Sequence, residues 1–180
     1  IFAPQPLMQA TGAISCLASL LQHRDVDCLC VICDAYPRMQ REARGSFCWA
    51  LLQGVRGGQL PGDIVVLEDS YNANPLSVHA ALDALHDLGS PGRRVAVLAD
   101  MLELGPTAPE LHYQIGVIAA ERTDWLFTYG ALAEEIVRGA TNAGLAVDKT
   151  FVASSHDELA AQLLEVLQAG DRVLIKGSRG

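Results

Sequence analysis

The sequence predicts an α/β fold over residues 63–180, a Rossmann-like three-layer α/β/α domain with a mostly parallel sheet, preceded by a smaller mixed segment over 1–62. Three observations carry this prediction. Apolar runs of strand length recur five times after residue 62, at 64–67, 95–99, 125–128, 150–153 and 172–175. Four stretches with apolar residues at helical spacing alternate with them. Helix-start and helix-stop residues stand at the junctions. Strands joined through helices of this length pair in parallel, by right-handed crossovers.

The first strand, Ile64-Val65-Val66-Leu67, runs into the polar segment Asp69-Ser70-Tyr71-Asn72-Ala73-Asn74-Pro75. Asn74 suits an N-cap and Pro75 the first helical position. Starting a helix does not require Asp69, Tyr71 or Asn72, so these read as a site. The first helix carries Val78, Ala81, Leu82, Leu85 and Leu88 on one face. After the second strand come Asp100-Met101-Leu102-Glu103, then a capping box, Thr107-x-x-Glu110, and a helix bearing Leu111, Ile115, Ile118 and Ala119. The third strand ends in Tyr129-Gly130 and leads to a helix over 131–143. The fourth ends at Ser154, and the capping box Ser155-x-x-Glu158 opens a helix bearing Leu159, Leu163, Leu164 and Leu167. The fifth runs into Lys176-Gly177-Ser178-Arg179. Gly89, Gly144 and Gly170 stand where helix-terminating glycines belong.

Composition excludes several classes. Half of the 180 residues are hydrophobic, yet no apolar run approaches the length of about 20 residues that a membrane helix needs. There is no secretory signal pattern. The net charge of −8, without a Lys/Arg stripe, argues against a nucleic-acid partner. The five cysteines, Cys16, Cys28, Cys30, Cys33 and Cys48, are odd in number and accompany no secretion signal, which points to reduced thiols and a cytoplasmic protein. Cys28-x-Cys30-x-x-Cys33, with His23 nearby, lacks the spacing and the second half of a zinc knuckle, so no metal is assigned. Both ends read as cut, and a fragment of a longer protein is expected.

The first 62 residues give weaker signals. Positions 10–22 have helical spacing, and 28–33 fit a strand or a short buried helix. Arg38, Arg41 and Arg44 follow, then Gly54, Gly57, Gly58 and Gly62 mark a boundary or hairpin loop. No Gly-x-x-x-x-Gly-Lys-Ser/Thr loop occurs anywhere in the chain.

In such a sheet the strand carboxyl ends share one edge, where open α/β sheets bind ligands. Asp69 to Asn74, Asp100 to Glu103, Tyr129-Gly130, Ser154 and Lys176 to Arg179 gather there. Charges of both signs suit a ligand with an ammonium and a carboxylate or phosphate, the latter held by bidentate arginine. His112 reads as a structural or exposed histidine rather than a catalytic base, since no Ser or Cys nucleophile stands in register with it. His79, His86 and His156 receive no role, and Trp49 and Trp125 read as core.

Four of these segments, at 69–75, 98–105, 110–112 and 176–179, occur in the order and spacing of one family. Residues from about 63 to 180 resemble the C-terminal domain of MurF-type Mur ligases, which is itself Rossmann-like. The resemblance implies ATP-dependent joining of D-alanyl-D-alanine to UDP-N-acetylmuramoyl-tripeptide in peptidoglycan synthesis, through an acyl phosphate. ATP and Mg²⁺ would be held mainly by a central domain that carries the P-loop. Carried over by motif, Asp69, Tyr71, Asn72 and Asn74 would line the nucleotide side, joined by Arg38 in Tyr36-Pro37-Arg38-Met39-Gln40. Asp100, Glu103, Lys176, Ser178 and Arg179 would lie on the dipeptide side. No catalytic residue or metal ligand falls in this chain, which is expected to be inactive alone. The resemblance makes 1–62 the tail of a central domain, with 26–35 helical. Ala99 departs from the glycine common in the family. Two other readings follow from the residues: a stand-alone module binding a small zwitterion or nucleotide without chemistry, and a scaffold or zinc-binding domain built on the cysteines.

Overall fold

A computed structural model describes residues 30–33, 64–70, 72–88 and 92–178. Among them are six strands, β1 Cys30–Cys33, β2 Val65–Asp69, β3 Arg94–Ala99, β4 Trp125–Tyr129, β5 Thr150–Ala153 and β6 Arg172–Lys176. Four helices connect them, α1 Pro75–Asp87, α2 Ala108–Arg122, α3 Ala133–Asn142 and α4 His156–Val166. Every described strand pair is parallel, and the order across the sheet is β1-β2-β6-β3-β4-β5.

Alternate residues of β2, β3, β4 and β6 enter separate cores. Val95, Val97, Phe127, Val173 and Ile175 pack with Leu159 and Leu163 of α4. Ala96, Leu98, Leu126 and Leu174 face the opposite way, against Leu82 and Leu85 of α1, Ile115 of α2 and Ile136 of α3. Strands buried on both faces need no polar alternation, which is why the sequence shows them as continuous apolar runs. From β2 to β5 the chain advances across the sheet in one direction, with α1 to α3 on one face. It then returns through α4 to β6. A right-handed crossover running backwards lies on the other face, so α4 is the one described helix that packs there.

The strand at Cys30–Cys33 corrects the helix expected over 26–35 from the family resemblance. Its backbone pairs in register with β2, from Cys30↔Val65 to Cys33↔Glu68, so the ladder supplies the hydrogen bonds a helix would have made internally. The remaining readings on 1–62, including Arg38, Trp49, the glycine cluster and the other cysteines, lie outside the described residues. So do Tyr71, Gly89 and Arg179.

The helix ends differ in detail from expectation. Asn74 caps α1, its Oδ1 accepting from the Ser77 N–H at 2.9 Å, and Ser77 Oγ accepts from the Asn74 N–H at 3.1 Å. Thr107 does not cap α2. It ends a 3₁₀ turn, Gly105–Thr107, and its hydroxyl donates back to the Leu104 carbonyl at 3.1 Å. Ser155 does cap α4, accepting from the Glu158 N–H, but the Glu158 carboxylate reaches past it to the Ser154 N–H and hydroxyl. Those bonds hold the Glu158 carboxyl below its usual range. Gly144, at φ +106°, closes α3 in a Schellman turn, with Gly144 N–H on the Thr141 carbonyl and Leu145 N–H on that of Ala140. Gly170 stands beyond the α4 cap, Leu167, and serves the turn into β6 instead. Trp125 is half-buried at the margin of the core it packs against, with the Lys149 ammonium over its ring at 4.3 Å.

The amino-terminal sheet edge is fastened by two ion pairs. Buried Asp171 accepts from the Arg93 guanidinium at 2.6 and 3.0 Å and from the Gln168 N–H at 2.8 Å. Asp124 takes the Arg94 guanidinium at 2.9 and 3.1 Å.

Candidate functional site

Parallel register brings three strand ends together. Lys176 lies opposite Asp69 of β2 on one side and Leu98 of β3 on the other. The segments that follow, 69–74, 100–104 and 177–178, therefore start side by side at the carboxyl edge. Gly177 makes the approach of β6 to β3 possible, since a Cβ there would lie 2.6 Å from the Ala99 Cβ. Ala99, the departure from the family's glycine, thus faces a glycine on the neighbouring strand.

The Lys176 side chain is 1% exposed. Its ammonium donates to Asp69 Oδ2 at 2.7 Å, to the Asn72 carbonyl at 2.7 Å and to the Asp69 carbonyl at 3.4 Å. Ser178 links all three segments. Its N–H donates to the Asp100 carbonyl at 3.1 Å, and its Oγ accepts from the N–H groups of Ala73 at 3.2 Å and Leu102 at 3.3 Å. The hydroxyl also lies within 3.4 Å of Asn72 Oδ1.

Asp100 is directed toward α3. Its carboxylate accepts from the N–H groups of Ala131 at 2.8 Å and Leu132 at 3.0 Å, the two residues that lead into the helix at its positive end. Gly130, at φ +125°, gives it room, because a Cβ there would sit 2.4 Å from the carboxylate. The next residue is pinned by a fully buried histidine: His112 Nε2 accepts from the Met101 N–H at 2.9 Å, and Nδ1 donates to the Ala108 carbonyl at 2.7 Å. These partners fix a neutral ring with its proton on Nδ1. The structural reading of His112 agrees with this geometry. Its burial followed from the motif no more than from any helix-face histidine; the signal was only its position one turn into α2.

The outward-facing groups are fewer. Asn72 and Glu103 are exposed and the Asp69 side chain is 41% exposed. Glu103 has φ +63°, the only non-glycine among the described residues with a left-handed backbone. Two leucines, Leu76 and Leu102, also present exposed side chains beside these loops. The Asn74 side chain is engaged in capping α1. Tyr129 and Ser154, at the ends of β4 and β5, meet α4 instead: the Tyr129 ring lies 4.4 Å from that of His156, and Ser154 binds Glu158. Among the described residues no three His, Cys, Asp or Glu side chains are grouped to hold a metal ion. No helix among them is long and apolar enough to cross a membrane.

A parallel sheet covered by helices on both faces, with polar loops converging on its carboxyl edge, defines a domain of the doubly covered α/β class. Comparison with known proteins narrows this. The family model for the Mur ligase glutamate ligase domain matches residues 54–179, and the chain belongs to that family. It is 35% identical over 116 residues to the UDP-N-acetylmuramoyl-tripeptide–D-alanyl-D-alanine ligase of Bacillus subtilis, covering 64% of this chain and 25% of that protein. The Escherichia coli enzyme of the same name is 34% identical over 122 residues, covering 67% and 25%. Among solved structures, a MurF ligase from Thermotoga maritima in complex with ADP aligns with a TM-score of 0.53 and 27% identity, over 65% of this chain and 25% of that one. The chain spans about a quarter of the length of the curated relatives it matches.

Proposed function

We propose that this chain is the C-terminal part of a cytoplasmic, ATP-dependent ligase that joins D-alanyl-D-alanine to UDP-N-acetylmuramoyl-tripeptide in peptidoglycan synthesis. Residues 63–180 form its C-terminal domain and 1–62 the tail of its ATP-binding domain, a tail that adds the strand Cys30–Cys33 to the edge of the C-terminal sheet. The observation that carries this reading is the joining of the segments after β2, β3 and β6 through Lys176 and Ser178. Asp69, Tyr71, Asn72, Asn74 and Arg38 serve the nucleotide side. Asp100, Glu103, Ser178 and Arg179 serve the dipeptide side, Glu103 and Arg179 by contact and the other two through the loops they hold, while Lys176, expected on that side from the family motif, grips the loop after β2 and serves the nucleotide side through it. The dipeptide carries one ammonium and one carboxylate, and an exposed carboxylate with an arginine matches both.

Amide formation from a carboxylate needs a better leaving group than oxide. The γ-phosphoryl of ATP moves to the acceptor carboxylate with release of ADP. The dipeptide amine then attacks the acyl carbon, phosphate leaves, and the amine loses a proton. Phosphoryl transfer depends on donors that cradle the phosphates, and no P-loop is present in this chain. Its share of the reaction is to position the dipeptide and close the nucleotide cleft, a proximity effect. Joined to the portion of the Bacillus subtilis relative that it does not span, the chain is expected to support ADP release only when ATP, the tripeptide nucleotide and D-alanyl-D-alanine are all present. Turnover by the 180-residue chain alone, or release indifferent to the dipeptide in the joined protein, would overturn the reading.

A further inference from the structure

We propose that Lys176 is a positioning residue, a buried strut that sets the shape of the loop after β2 and does not touch either substrate. The proposal deepens the ligase reading and rests on it for the kinetic half of its test. An ammonium in an environment with 1% exposure has to find its partners inside the protein, because an unpaired buried charge is strongly unfavourable. Lysine has three donors. Three acceptors surround it: the Asp69 carboxylate, the Asp69 carbonyl and the Asn72 carbonyl. No donor remains for a substrate carboxylate or phosphate.

The acceptors also show what the strut does. Asp69 ends β2 and Asn72 lies three residues on, so one cation grips both sides of the turn. The turn's far side is held by Ser178, two residues beyond the lysine, through the Ala73 N–H. Register makes this grip obligatory, since Asp69 and Lys176 are direct neighbours across the β2–β6 ladder. The result is an exposed Asn72 side chain and an outward Asp69 oxygen on a loop whose backbone is fixed from below.

Two measurements on Lys176→Met test this. In the 180-residue chain, amide hydrogen exchange at Ala73 should quicken about tenfold or more, while the β4 amide of Leu126 stays unchanged. In the joined ligase, kcat should fall about tenfold with the KM for D-alanyl-D-alanine moved less than about twofold. The double variant Asp69→Asn/Lys176→Met should be no worse than Lys176→Met alone, because the two groups act as one pair. Unaltered Ala73 exchange overturns the proposal, and so does a raised dipeptide KM at constant kcat, which would make Lys176 a ligand. If Lys176→Met does not fold, Asp69→Asn carries the same exchange comparison. Loss of dipeptide dependence in the unmutated joined protein would sink the ligase reading while the exchange result still decides the strut.

Discussion

Three aspartates at strand ends show how little a residue's type says about its work. Asp69 faces partly outward while gripping Lys176, Asp100 faces inward onto the N–H groups that lead into α3, and Asp124 lies at the other edge against Arg94. The hydrogen bond from the Arg94 guanidinium is the chief reason the Asp124 carboxyl is held below its usual range. A folded-state value below the unfolded one stabilises fully above the ordinary aspartate pKa of about 4, and that contribution is lost as pH falls through the depressed value. Because the side chain is 41% exposed, solvent screening limits the effect to about 1 kcal/mol. Asp124→Asn should therefore lower the urea midpoint at pH 7, with the gap from the parent protein closing toward pH 3. An equal gap at both pH values would remove the ion pair from the stability of β3 and β4. Glu103 poses the opposite case. An exposed, non-glycine residue at φ +63° has a backbone cost that no hydrogen bond or ion pair among the described residues offsets, and such residues concentrate at functional loops.

Between elements, α2 approaches α3 closely. A Cβ on Gly116 would stand 1.9 Å from the Ile136 carbonyl oxygen, and one on Gly139 would stand 2.0 Å from that of Tyr113. Each glycine thus admits the backbone of the other helix. Gly116→Ala should destabilise the protein by about 1–3 kcal/mol, as overpacking does. On an isolated helix the same change would stabilise by about 1 kcal/mol, so the sign measured by chemical denaturation is decisive. Apolar spacing made both helices legible, as it did α1 and α4, because one face of each meets the sheet. The glycine pair was not legible, since helix-to-helix distance is set by tertiary contact and leaves no periodic trace. Thr107 was misleading for a related reason. Its pattern matches a capping box, but Gly105-Pro106 begins a 3₁₀ turn that already gives Thr107 helical dihedrals. The strand at Cys30–Cys33 was half legible, because a four-residue apolar segment does not distinguish strand from buried helix until a neighbour is known.

For the molecule as a whole, the carboxyl-edge site depends on three segments that lie far apart in sequence. Ser178 reaches Ala73 across 105 residues and Leu102 across 76. Ser178→Ala should cost only about 1 kcal/mol of stability, as one net hydrogen bond. It should nevertheless lower kcat/KM of the joined ligase about tenfold, because loops that lose their mutual placement lose proximity. Steady-state kinetics beside a denaturation curve checks the contrast; equal and small effects on both would make the hydroxyl incidental. That these segments share an edge was legible, since parallel strands put all their carboxyl ends on one side. Which of them touch was not: five alternating apolar runs do not reveal that the last one enters between β2 and β3. That insertion also governs how the polypeptide is made. Until Arg172–Lys176 has left the ribosome, a nascent chain holds β2 and the β3–β4–β5 ribbon as separate pieces, each with a raw edge of unpaired amides. Any message or protease that stops short of that final stretch yields two sticky half-sheets instead of a shortened domain, and these are substrates for chaperones or aggregation.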